Sequence, residues 1–163
     1  MASCMDTNTT KNQAVGMGQI VVGQHPAQLT AVLGSCIGLT LHHKRTRIGA
    51  MAHVVLPVSN GKSERPGKFA DTAIPYMFEL FRQRGIEPNA LSAKVVGGAC
   101  MFGVSGPMQI GQSNNEAIVR ALKAAGVTIT AEDVGGNSGR RVTFDCDSGA
   151  LTVERIGHPA QVL

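Results

Sequence analysis

Short runs of alternating apolar and polar residues, cut off by glycine-containing turns, constrain this chain more than any other feature. Ile37, Leu39 and Leu41 fall on one side of a strand while Gly38, Thr40 and His42 fall on the other, the period of a half-buried β-strand. Comparable β-rich runs cover Gln19 to Val22, Thr30 to Leu33, Arg47 to Leu56, Ala93 to Val96, Val127 to Ala131, Arg141 to Cys146 and Leu151 to Ile156. The chain has 20 glycines in 163 residues without a fixed triplet period, which excludes collagen and fits frequent tight turns.

Two segments keep a helical period instead. Ile74, Met77, Phe78 and Phe81 share one face of a predicted helix over Asp71 to Arg84, closed by Gly85, with Pro75 tolerable only in its first turn. Ile118, Leu122 and Ala125 share a face over Asn114 to Ala125, followed by Gly126. About eight strands against two irregularly placed helices predict an α+β fold of mixed sheets, not a doubly wound nucleotide-binding fold. Residues 1–17 are polar and without apolar period, so they read as a flexible tail before a single domain over 18–163.

Composition narrows the function classes. Fifteen basic residues against 11 acidic ones is a mild excess, and no Trp and one Tyr leave little for base stacking, so nucleic-acid binding is not expected. No run approaches the roughly 18 apolar residues of a membrane span, and no charged start precedes an apolar secretory core. The expected compartment is the cytoplasm, where thiols stay reduced.

The four cysteines form no CxxC pair, which argues against a structural zinc site. Cys4 lies in the tail. Cys146 shares a face with Val142 and Phe144 between Asp145 and Asp147, where burial and negative neighbours keep a thiol protonated and unreactive. Cys36 follows Leu33-Gly34-Ser35 at a strand start, where a glycine turn can present sulfur beside backbone N–H groups; Cys100 is a second candidate. A nucleophilic thiol needs a base, and His53 in Met51-Ala52-His53-Val54 falls beside Cys36 if the two strands form a hairpin around Lys44-Arg45-Thr46. His42 and His43 flank that basic turn and read as solvated, His25 precedes Pro26 in a loop, and His158 is near the C-terminus. A cysteine or histidine on an apolar strand also fits plain core packing, so pattern alone leaves both readings open.

Six linked segments carry a more specific signal: LGSCIGLTL (33–41), IGAMAHVVLP (48–57), KFADTAIP (68–75), KVVGGACMF (94–102), IGQSNNEAI (110–118) and AEDVGGNSGRRVTFD (131–145). In order and without large gaps, over residues 18–154, they resemble the CheD family of bacterial chemotaxis proteins, chemoreceptor glutamine deamidases. The resemblance implies a cysteine hydrolase with Cys36 as nucleophile, His53 as base and Thr30 hydrogen-bonding the imidazole to complete a triad. It implies an α+β sandwich related to glutamine-deamidating bacterial toxins, no metal or organic cofactor, and the cytoplasmic helices of chemoreceptors as substrate.

Around this triad, Gly34, Ser35, Gly97, Gly98 and Phe102 are candidates for the oxyanion hole or for substrate contact, although the pairs Gly97-Gly98 and Gly135-Gly136 fit tight turning or close backbone approach better. Asp133 and Arg140 suggest a structural ion pair, and the cluster Lys44, Arg45 and Arg47 a solvated turn able to steer an acidic partner. The long segments Pro57 to Phe69 and Cys100 to Gln112 suggest binding surfaces. A glutamyl methyl ester fits the same thioester chemistry. The family resemblance also implies an alternative, an interaction module that binds and stimulates a CheC-type response-regulator phosphatase, but retention of Cys36, His53 and Thr30 favours an enzyme. A papain-like protease is disfavoured by the short chain and by the lack of an orienting Asn or Asp.

Overall fold

A computed structural model describes residues 12–61, 65–100 and 110–163. Its strands are β1 (Asn12–Ala14), β2 (Ile20–Gln24), β3 (Gln28–Leu33), β4 (Ile37–His43), β5 (Ile48–Val54), β6 (Ser92–Gly97), β7 (Thr128–Val134), β8 (Arg140–Asp145), β9 (Leu151–Glu154) and β10 (Gln161–Val162). The helices are α1 (Ala70–Arg82) and α2 (Ile110–Ala124). The first sheet runs β1-β3-β8-β9-β10 and the second β2-β5-β4-β6-β7; each holds one parallel pair, β1 with β3 and β6 with β7, so both are mixed. The α+β expectation holds.

The second sheet is the middle layer. Ile37, Leu39 and Leu41 of β4 and Ala50, Ala52 and Val54 of β5 pack under α1, through Ile74, Met77, Phe78 and Phe81, and under α2, through Ile118 and Leu122. On the other side Met51 and Val96 join Leu29, Leu33, Val142, Phe144 and Val153 of the first sheet. The expected half-buried character of β4 is therefore corrected: Thr40 and His42 are buried too, because the first sheet covers the face they occupy. Glycine makes that approach possible, since a Cβ on Gly49 would lie 2.5 Å from the Phe144 ring and one on Gly38 3.0 Å from Leu33. His42, expected at the solvated turn, bonds the Cys146 carbonyl through Nε2 (2.8 Å) and stands edge-on to Phe144.

Two boundaries differ from expectation for packing reasons. Pro75 is the sixth residue of α1, beyond the first turn, and burial of the face formed by Ala73, Ile74, Met77 and Phe78 outweighs one missing N–H. Part of the expected tail is folded: β1 pairs with β3, Ala14 beside Thr30, and Val15 is buried. The polarity that suggested a tail belongs to a short, exposed edge strand. Among the described residues no helix is long and apolar enough to cross a membrane.

Candidate active site

The hairpin brings the expected pair together. In the antiparallel register of β4 and β5, Gly38 faces His53 and Ile37 faces Val54, so one further step sets Cys36 across from Val55. Cys36 and His53 are thereby diagonal neighbours on one face of the second sheet, a separation that long side chains bridge. Gly38, directly opposite His53, puts no side chain between them. Both are buried, Cys36 at 8% exposure and His53 at 4%, and Cys36 packs with Leu33, Met51 and Val96 on the side facing the first sheet.

His53 is held on three sides by one short segment. Its backbone N–H donates to the Gln19 carbonyl (3.0 Å), its carbonyl accepts from Gly18 N–H (2.9 Å), and its Nδ1 is 3.0 Å from the Val15 carbonyl. A carbonyl only accepts, so Nδ1 carries the proton and Nε2 keeps the lone pair. This is the tautomer a general base requires.

Thr30 enters this arrangement by another route than expected. Its β3 neighbours Leu29 and Ala31 are buried against the second sheet, so period-2 alternation turns the Thr30 side chain to the opposite face, beside exposed Val32. The link to His53 runs through backbone: Thr30 O accepts from Val15 N–H (2.7 Å), and Val15 O accepts from His53 Nδ1. The imidazole is thus positioned by Val15, a residue of the expected tail; the apolar run Ala14-Val15 followed by Gly16-Met17-Gly18 at the end of that polar segment is the available signal.

Three glycine-containing loops converge behind Cys36. Gly98 N–H donates to the Cys36 carbonyl and Ala99 N–H to the Gly34 carbonyl, both at 2.9 Å; Gly135 N–H donates to Gly97 O (2.9 Å) and Cys100 N–H to Gly136 O (2.8 Å). Gly97 has φ of +112°, and a Cβ there would strike the Cys36 carbonyl, so this residue serves close backbone approach. Gly111 at the start of α2 has the same relation to the Gly98 carbonyl. Buried Asn114 of α2 donates from Nδ2 to Val55 O (2.9 Å), tying the helix to the end of β5. Gly34 and Ser35 are half-buried beside Cys36, whereas Phe102 lies outside the described residues.

The thiols also differ electrostatically. Burial pushes the Cys36 thiol above its ordinary range, which favours its neutral S–H form. Cys146 is pushed up to about 11, by burial first and then by Asp145, and it lies away from His53 under Gly23 and Gly49.

Comparison with known proteins identifies the family. The family described as "CheD chemotactic sensory transduction" matches residues 55–155. The chemoreceptor glutamine deamidase CheD of Thermotoga maritima is 39% identical over 151 residues, 92% of this chain and 96% of that protein. The probable chemoreceptor glutamine deamidase CheD of Clostridium botulinum strain Hall is 39% identical over 153 residues, 90% of this chain and 94% of that one. With Cys36 and His53 brought together by β4 and β5, and with likeness along nearly its whole length, the chain belongs to the CheD family.

Proposed function

We propose that this protein hydrolyses glutamine side chains of chemoreceptors to glutamate, with Cys36 and His53 as its catalytic residues. One observation carries the mechanism: Val15 holds the Nδ1 proton of His53, which leaves the basic Nε2 on the face shared with Cys36. The buried S–H gives its proton to Nε2 as sulfur bonds the amide carbon, and the carbonyl electron pair moves to oxygen. Backbone N–H groups of the Gly34-Ser35-Cys36 turn stabilise the oxyanion. As the C–N bond breaks, imidazolium returns the proton to nitrogen and ammonia leaves. Water, relieved of a proton by His53, then cleaves the thioester; glutamate departs and the thiol is restored.

The substrate must project its glutamine from a helix, and the rim around His53 suits such a surface. Met17, 63% exposed, sits on the turn that brackets His53, and Arg65 reaches its carbonyl (3.3 Å), so an apolar residue and a cation stand together. An acidic amphipathic helix complements that pair. A CheC-type phosphatase docking on the same rim would compete with the receptor.

Mass spectrometry of receptor peptides incubated with the wild type and with Cys36→Ala tests the assignment. Conversion of Gln to Glu is expected to vanish in Cys36→Ala and to persist in Cys146→Ala; retained conversion in the first variant refutes the thioester route.

A further inference from the structure

The ion pair expected between Asp133 and Arg140 is present, with Nη1 to Oδ1 at 3.4 Å, but its surroundings reach beyond fold stability. Arg140 is 3% exposed and its guanidinium fork is spent on main-chain carbonyls: Nη1 donates to Asp133 O (2.6 Å), Nη2 to Gly135 O and, more weakly, to Ser138 O at 3.5 Å. Asp133 is in turn bonded by Arg155 Nη2. Among the described residues, Arg140 Nε and Asp133 Oδ2 are buried without a partner.

A buried, incompletely paired ion cluster is a poor way to stabilise a fold, because well-packed apolar residues usually do as well. It does fix geometry. Gly135 and Gly136, with φ of +89° and +76°, form the turn whose carbonyl Arg140 holds. The same turn donates Gly135 N–H to Gly97 O and accepts Cys100 N–H at Gly136 O. The Gly97–Cys100 segment then donates Gly98 N–H to Cys36 O and Ala99 N–H to Gly34 O. Two continuous hydrogen-bond paths therefore run from the guanidinium to the backbone on either side of Ser35. A third connection is direct, since Arg140 pairs with Leu33 in the β3–β8 register, at the residue entering the nucleophile turn.

We infer that Arg140 is a positioning residue for the deamidation reaction, holding the Gly135-Gly136 turn so that the Gly97–Cys100 segment fixes Cys36 relative to His53. The inference rests on Cys36 being the nucleophile. Lysine cannot replace the fork, because one ammonium cannot bond the Asp133 and Gly135 carbonyls in the same planar geometry.

The test compares Arg140→Lys, Arg140→Met and Arg155→Ala with the wild type in two assays on the folded proteins: steady-state deamidation of a receptor fragment, and alkylation of Cys36 by iodoacetamide. Alkylation needs the thiol but not its alignment with an amide and a base. Arg140→Lys is expected to lower kcat by about tenfold or more, because small misplacements of reacting groups cost that much, while KM stays within about twofold and alkylation within about threefold. Arg155→Ala, which bonds no carbonyl of the turn, is expected to stay near the wild type. A purely structural role would lower deamidation and folded fraction together and, by exposing the buried thiol, speed alkylation well beyond threefold. That result overturns the inference, as does wild-type kcat in Arg140→Lys; if Arg140→Met fails to fold, Arg140→Lys decides alone. Retained activity in Cys36→Ala would instead show that the thioester reading is wrong, so the two failures are separable.

Discussion

At the residue scale the division of labour between His53 and Thr30 follows from which atoms meet. In the proposed mechanism Nε2 of His53 moves protons, so His53→Ala is expected to lose about 10²–10⁴-fold in kcat, the usual contribution of a placed acid–base group. Thr30 reaches the imidazole only through the Val15 backbone, so Thr30→Ala is expected to cost less than His53→Ala. Equal losses in two folded variants would assign the Thr30 hydroxyl a direct part in the chemistry. The Cys36 thiol offers a second check: burial favours its neutral form, so its alkylation rate should rise with a midpoint above the ordinary 9.0. A midpoint near neutrality would mean a resting thiolate–imidazolium pair instead.

At the scale of elements, hairpin and glycines divide the work. The β4–β5 register sets Cys36 near His53, and the glycine turns hold the Cys36 backbone. Gly97→Ala is expected to destabilise by at least the roughly 1–3 kcal/mol of a strained positive φ, since the added methyl also strikes the Cys36 carbonyl, and to abolish deamidation. Gly85→Ala is the control: φ is +76° but nothing stands within 4 Å, so it should lose about 1 kcal/mol and keep activity. Denaturant unfolding with activity measured on the folded variants checks both. What was legible in the sequence follows the same division. The alternation of Ile37, Leu39 and Leu41, together with the basic turn at residues 44–46, allows a hairpin in which Cys36 meets His53, the arrangement found, but the same pattern fits plain core packing. Contacts made by main-chain atoms left no such mark, because a carbonyl such as that of Val15 is common to every residue. Nor does period 2 in β4 say that a second sheet covers Thr40 and His42; Gly49, small enough to admit Phe144, was the trace of it.

For the whole molecule, the contact between the two sheets should govern stability at alkaline pH through Cys146. Its sulfur lies where Cβ atoms on Gly23 and Gly49 would come within 3.0 and 3.3 Å, so this thiol fills the gap between the layers and has no room for a hydration shell. The folded-state pKa of about 11 exceeds the ordinary 9.0, so between these values the native chain holds a proton that the unfolded chain has released. Stability therefore falls as pH rises, its slope being set by the unfolded state's smaller proton count. The contribution is complete below about 9 and is lost as pH passes through about 11. Lys94, whose pKa burial lowers, acts in the opposite direction, but it is common to the wild type and to Cys146→Ala, so their difference isolates the thiol. Cys146→Ala is expected to be less stable at neutral pH by about 0.5–3 kcal/mol, the usual range for a core truncation, and to lose less than the wild type above pH 9. Urea midpoints measured from neutral pH upward would show the two curves converging; parallel curves would mean that Cys146 titrates alike in the folded and unfolded chain, its thiol unshifted by the sandwich, and that another group sets the alkaline limit.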